Sequence, residues 1–180
     1  METVRVNDRE FFIKKLLGHG KGGYSYLVED ENKCLFVVKK IHHEPCDYYN
    51  FGNKIEAEKN DYKRLMETGI PIPKMFSVDE QRETILKEFI DGDTAFSLIK
   101  NNALHENAIS QIQNMAQKVK SFGLNIDYFP TNFVLQNGLF YYIDYECNSY
   151  MEEWNFDNWG VKYWSRTKEF NDYLKDHSDL

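Results

Sequence analysis

The chain has 180 residues, 42% of them hydrophobic, 28% charged and 16% aromatic, with a formal net charge of -7. That balance excludes a disordered tail and suits a chain able to bury a core without staples, while the negative field argues against a nucleic-acid partner held mainly by phosphate neutralisation. Three widely spaced cysteines, Cys34, Cys46 and Cys147, suggest no disulfide framework, and neither the charged start from Met1 to Glu10 nor any later window supplies a signal peptide or a membrane span, so a cytoplasmic protein is expected.

In chain order, Phe11 to Leu17, Tyr24 to Glu29 and Leu35 to Ile41 are apolar or alternating runs rich in aromatic and β-branched residues, and are predicted strands. The glycine cluster Gly18 to Gly23 joins the first pair, and the polar turn Asp30-Glu31-Asn32-Lys33 joins the second. Ile55, Tyr62, Leu65 and Met66 recur near helical spacing, which predicts a helix over Asn53 to Thr68 that Gly69, Pro71 and Pro73 bring to an end. Lys74 to Val78 and Thr84 to Ile90 are predicted strands, and the turn Asp91-Gly92-Asp93 is the expected joint between residues 1–91 and 92–180.

The second half opens with a short helix, Thr94 to Lys100. A longer one follows over Asn107 to Phe122, where Ile109, Ile112, Met115, Ala116 and Val119 form an apolar stripe. Phe133 to Leu135 and Leu139 to Ile143 flank Gln136-Asn137-Gly138, a strong hairpin signal. Asp157 to His177 reads as one or two aromatic helices.

Gly18, Gly20 and Gly23 satisfy G-x-G-x-x-G, a pattern whose glycines let backbone amides approach phosphates. A dinucleotide fold would open a helix after the last glycine; here Tyr24-Ser25-Tyr26-Leu27-Val28 is a strand pattern, which favours a hairpin folded over a nucleotide. Phe36-Val37-Val38-Lys39 is an apolar strand ending in a lysine that can reach phosphate oxygens, although a lone strand lysine is usually solvated. Glu58 is the candidate partner for Lys39, preferred to Glu56 because Tyr62 and Leu65 would share its face. Asp127 is followed five residues later by Asn132, and the next hairpin ends at Asp144. That order suits phosphoryl transfer, in which one carboxylate takes the acceptor hydroxyl proton while an amide oxygen and a second carboxylate hold hard cations. Singly, Asp127, Asn132 and Asp144 would pass for turn and strand caps.

Together these residues resemble the protein-kinase-like superfamily, in the family's order along nearly the whole chain. Gly18, Gly20 and Gly23 resemble the nucleotide-covering loop, Phe36-Val37-Val38-Lys39 resembles V-A-I-K, and Leu86-Lys87-Glu88-Phe89-Ile90 resembles the hinge that binds adenine through its backbone. Asp127 to Asn132 matches D-x-x-x-x-N, and Ile143-Asp144-Tyr145-Glu146 is similar to I-D-F-G with two changes. The resemblance implies an α+β, two-lobed kinase-like fold, with a five-stranded antiparallel N-lobe carrying one helix (residues 1–91) and a reduced, mainly helical C-lobe (residues 92–180). It implies an ATP-dependent phosphotransferase using Mg²⁺. Asp127 would be catalytic, with Lys39 and Glu58 serving the phosphates. Glu88 and Ile90 would hold the nucleotide beside the glycines, and Asn132 and Asp144 would bind metal.

The sequence departs from the family at Asn125-Ile126, which stands for His-Arg, at Phe129, where protein kinases often carry lysine, and at Glu146, which replaces a glycine. No A-P-E-like segment follows Asp144, which makes the chain more similar to Rio-type, lipopolysaccharide-kinase-like or aminoglycoside-phosphotransferase-like kinases than to regulated ones. The acceptor, a protein or a small alcohol, is not written in these motifs. Rival readings are a pseudokinase scaffold and a dinucleotide-binding protein. Lys14, Lys15, Lys39 and Lys40 are a candidate basic patch. His42, His43, Cys34 and Cys46 match no zinc spacing and read as structural or surface residues. The aromatic run Glu153 to Trp164 reads as core or as a surface for a protein partner.

Overall fold

A computed structural model describes residues 2–45 and 52–177; Cys46 lies outside them. The chain is α+β and divides into two compact units, Met1–Asn60 with Pro73–Phe89 and Asp61–Ile72 with Ile90–Leu180.

The first unit is built on an antiparallel sheet of β1 (Thr3–Val6), β2 (Arg9–Gly20), β3 (Gly23–Glu29), β4 (Leu35–Ile41), β5 (Met75–Asp79) and β6 (Thr84–Glu88), in the order β1-β2-β3-β4-β6-β5. Five strands are expected here from the sequence and six are present. The extra one, β1, is only four residues with one fully buried side chain, Val6, and it owes its form to pairing with β2. Central β4 and β6 carry consecutive buried residues (Val37-Val38-Lys39 and Thr84-Ile85-Leu86-Lys87), as strands covered on both faces do. One core cluster joins Val6, Phe11, Val28, Val38 and Leu86; another joins Ile41, Ile55 and Ile85. Asp30 shapes the β3–β4 turn, its carboxylate accepting from the amides of Asn32 and Cys34 at 2.9 Å each.

Helix α1 (Lys54–Thr68) buries Ile55 and Leu65, whereas Met66, expected on the apolar stripe, is exposed. Its position follows from the 100° step per residue, which turns Met66 away from the face that Leu65 occupies.

The second unit contains β7 (Asp93–Thr94), α2 (Ala95–Lys100), α3 (Ala108–Ser121), β8 (Leu124–Ile126), β9 (Phe133–Gln136), β10 (Leu139–Tyr142), β11 (Cys147–Ser149) and α4 (Lys168–Asp176). Thr94 caps α2 by accepting from Ser97 N at 3.1 Å, and Thr167 caps α4 by accepting from Phe170 N at the same distance. Helix α3 buries Ala108, Ile112, Met115 and Val119, and leaves Ile109 and Ala116 half-buried. The β9–β10 hairpin closes through Asn137 (φ 51°) and Gly138 (φ 81°), both in the left-handed region that a tight two-residue hairpin turn demands.

Asp157 to His177, expected as one or two helices, holds the 3-10 turn Gly160–Tyr163 and then α4, and a further 3-10 turn, Glu152–Trp154, precedes it. The rings of Glu153 to Trp164 divide between core and surface: Trp164 and Phe156 are buried against each other, with Trp164 also packed on Phe133 and Phe140, whereas Trp154 is half exposed.

Candidate functional site

The first unit assembles its candidate residues around the β2–β3 hairpin. Gly20 pairs with Gly23 across a turn made by Lys21 and Gly22. The four glycines of this stretch do different things. A Cβ on Gly18 or Gly20 would meet nothing within 4 Å, so these two are open. A Cβ on Gly23 would run into the carbonyl of Lys40, so close approach to β4 requires glycine there. Gly22 faces the Lys39 ammonium, with Nζ 3.3 Å and Glu58 Oε1 3.6 Å from where its Cβ would stand.

Lys39 is buried at 9% exposure, and its ammonium donates to Glu58 Oε1. It therefore leaves the basic patch expected with Lys14, Lys15 and Lys40: Lys40 is exposed, Lys14 pairs with Glu29 at 3.4 Å, and Lys39 turns inward. The alternation of β4 forces that split, because adjacent residues point to opposite faces. Glu58 meets Lys39, while Glu56 lies exposed and accepts from Lys59 at 2.7 Å. Glu58 Oε2 is buried with no hydrogen-bond partner among the described residues, so the carboxylate keeps one oxygen in reserve beside the ammonium. At the end of β6, Glu88 is tied to Lys74 twice, through its backbone N–H at 2.8 Å and its carboxylate at 3.0 Å. Ile90, in the second unit, is buried.

The second unit brings Asp127, Asn132 and Asp144 onto two segments that run side by side. The loop 127–132 leaves β8 and enters β9, while residues 143–146 leave β10 and enter β11. β8 pairs with β11 (Ile126 opposite Cys147), and β9 pairs with β10 (Phe133 opposite Tyr142), so both ends of both segments are pinned. Ile143 N donates to Asn132 O at 2.9 Å, which sets Asp144 next to the asparagine. Asp127 is exposed, and its Oδ1 accepts from Phe129 N at 3.0 Å. Asn132 Nδ2 donates to Asp127 O at 3.4 Å, so Oδ1 is the amide atom that could serve a hard cation. Asp144 Oδ1 accepts from Tyr145 N at 2.8 Å.

Buried side chains beyond the candidate residues hold these segments in place. The buried hydroxyl of Tyr142 donates to Glu146 O at 2.8 Å and accepts from Asp127 N at 3.4 Å. Burial pushes this phenol well above its ordinary range, and the carboxylates of Asp144, Asp127 and Glu146 push it the same way, so it stays neutral. Trp164 donates from its indole N–H to Tyr128 O at 2.8 Å. Phe129 packs against Phe96, Tyr163 and Tyr173 and serves the core. Only a buried hydroxyl or indole at the right distance reveals such supports, and no periodicity marks them. Asn125 is buried, donates to Met151 O at 3.4 Å, and keeps Oδ1 without a partner among the described residues.

The donor set of this unit fits a hard divalent cation such as Mg²⁺. Asp144 and Asn132 offer only oxygens, carboxylate and amide, from tethered backbone. The neighbouring Cys147 thiol is pushed up to about 12, by burial first and then by Asp61, and stays protonated rather than competing as a ligand. Asp61 Oδ2 accepts from Cys147 N at 3.3 Å, and Tyr62 packs edge-on against Tyr145, so α1 supports the Asp144–Cys147 segment within the same unit.

The chain is 36% identical over 64 residues to a serine/threonine-protein kinase of Schizosaccharomyces pombe, a stretch that covers 35% of this chain and 18% of that kinase. No family model matches the chain. Among the described residues no helix is long and apolar enough to cross a membrane.

Proposed function

We propose that this protein is an ATP-dependent phosphotransferase with a kinase-like fold, acting on a hydroxyl acceptor. The observation that carries the reading is the pinning of loop 127–132 against residues 143–146, which brings Asp127, Asn132 and Asp144 together. The inward Lys39–Glu58 pair beneath the glycine hairpin and the partial similarity to a serine/threonine-protein kinase support it.

In this reading Asp127, the exposed carboxylate, orients the acceptor hydroxyl and takes its proton. Asn132 and Asp144 hold Mg²⁺, which neutralises charge on the phosphate oxygens when bound. Lys39 is a point charge for the α- and β-phosphates, and Glu58 aims it. The open positions at Gly18 and Gly20 let backbone come close to the triphosphate. Glu88 and Ile90 supply backbone groups for the base. Phe129, used in packing, leaves the acceptor side without the lysine common in protein kinases.

The test pairs binding with turnover. Saturating Mg²⁺·ATP should raise the unfolding midpoint by about 5–10 °C. Asp144→Asn should lose the metal-dependent part of that rise. Asp127→Ala should keep the rise and lose phosphoryl transfer to a panel of protein and small-alcohol acceptors. Equal transfer by Asp127→Ala and the parent would refute the mechanism. A midpoint unmoved by any nucleotide would replace it with a scaffold role.

A further inference from the structure

The first unit holds a second cluster of ligating side chains that the phosphotransferase reading does not use. His19 lies in the glycine hairpin at the end of β2, and His42 and Glu44 follow β4. Their ligand atoms come within 4.8 Å of one another. His19 Nε2 is 3.3 Å from Glu44 Oε2, and His42 Nε2 is 4.0 Å from the same oxygen. Two ligands at about 2.0–2.2 Å from a tetrahedral zinc ion stand roughly 3.4 Å apart, so these separations are close to those a bound ion imposes.

Tyr24 organises the group. Its hydroxyl donates to Glu44 Oε1 at 2.5 Å, leaving Oε2 turned to the imidazoles, and its ring stacks on His19 with centroids 4.2 Å apart and planes 2° apart. A hydrogen bond to the far oxygen of a ligating carboxylate is the usual outer support of a metal site. The same bond, first among its causes, holds the Glu44 carboxyl below its ordinary range and keeps it anionic. His42 Nε2 sits 2.8 Å from Gly20 O, and Glu44 N donates to His42 Nδ1 at 3.2 Å. Loading an ion through Nε2 exchanges these two bonds for one to metal and moves the ring proton to Nδ1.

We propose that His19, His42 and Glu44 form a binding site for a zinc-type transition-metal ion, with water completing its coordination. Two imidazoles and one carboxylate are a borderline donor set, which selects Zn²⁺ or Co²⁺ over Mg²⁺. Because His19 is in the hairpin and the other two ligands follow β4, the bound ion fastens the glycine hairpin to the strand that carries Lys39. The site is independent of the phosphotransferase reading and stands if that reading fails. Local spacing does not reveal it: His42 beside His43 matches no zinc pattern, and its partner His19 is 23 positions earlier, brought near by the β3–β4 pairing.

Calorimetric titration of the full chain with ZnCl₂ tests the proposal, alongside the visible spectrum of the Co²⁺-loaded protein. One ion should bind, with MgCl₂ in excess failing to displace it. His19→Ala and Glu44→Gln should each abolish binding, and Tyr24→Phe should weaken it about tenfold. Far-UV circular dichroism confirms that each variant is folded. Asp144→Asn should bind zinc as the parent does, separating this site from Asn132 and Asp144. Cys46→Ser should also bind as the parent does, and loss of binding there would overturn the assignment in favour of a thiolate site. Unchanged zinc affinity in His19→Ala and Glu44→Gln would overturn it outright, as would a dissociation constant weaker than about 0.1 mM in the parent.

Discussion

The Tyr142 hydroxyl donates to the backbone carbonyl of Glu146 at 2.8 Å, closing the turn that carries Asp144. The same oxygen accepts from Asp127 N, so one neutral, fully buried phenol spans the start of one candidate segment and the end of the other. Asn125, in β8, makes neither contact; the bridge is made from β10 instead.

Tyr142→Phe removes the bridge while keeping the ring. It leaves Glu146 O short of a buried donor, which should cost about 1–3 kcal/mol of stability in chemical denaturation. In the phosphotransferase reading, turnover should fall more than nucleotide affinity, because Asp127 and Asp144 lose their mutual register while the residues of the first unit are untouched. A variant equal to the parent in both stability and turnover would remove Tyr142 from any positioning role.

The Lys39–Glu58 pair is open to a double-mutant cycle. The two side chains are 11% and 12% exposed, so the charge left by either deletion lies largely out of water. Lys39→Met and Glu58→Leu should each cost about 3 kcal/mol, and the double variant clearly less than the two together. Nucleotide binding, followed by the midpoint rise with Mg²⁺·ATP, should be weakened in all three. Additive losses would mean that the ion pair contributes no coupling.

What the sequence makes legible is what short-range chemistry decides. Leu35 to Ile41 is read as a strand and is β4 to the residue, because its apolar run is bounded by a polar turn. Asn137-Gly138 declares a hairpin through backbone conformation alone. The pairing of Lys39 with Glu58 is readable because α1 has a face, and Leu65 marks it. The three-residue strands β8 and β11 are too short to show a period, and they exist by pairing with each other across the loop 127–132 and the β9–β10 hairpin. The divided fate of the aromatic run, with Trp164 in the core and Trp154 outside, depends on partners far along the chain such as Phe133 and Tyr128. Contacts of that range carry no signature in composition or spacing.

Asp79 gives a pH-dependent test that is separate from any function. Its carboxylate accepts from Arg82 N at 3.0 Å, from Arg82 Nη1 at 2.9 Å and from Asn7 N at 2.7 Å. The Arg82 backbone bond foremost, then its guanidinium and the Asn7 amide, hold the carboxyl below its ordinary range. A depressed folded pKa means that the stabilisation is present above the unfolded value and fades as pH falls through the folded one. Asp79→Asn should therefore unfold at a lower temperature than the parent near neutrality, and the two midpoints should converge in strong acid. A gap that stays constant down to that pH would show that hydrogen bonding alone, without the charge, accounts for the effect.

Cys147 and Cys34 should differ sharply as thiols. Cys34 is exposed at the β3–β4 turn, whereas Cys147 is buried, with its thiol pushed up to about 12 by burial and then by the Asp61 carboxylate. Since the thiolate is the reacting species, a raised pKa and low access both suppress alkylation. In a Cys46→Ser background at pH 8, iodoacetamide should modify Cys34 fully before Cys147 reacts, and mass spectrometry of the digested protein reads the order. Asp61→Asn removes the neighbouring charge and part of the hold on Cys147 N, so it should speed Cys147 labelling while leaving Cys34 unchanged. Equal labelling rates at the two cysteines in the folded protein would contradict the burial of β11 against α1 and, with it, the support those residues give to Asp144.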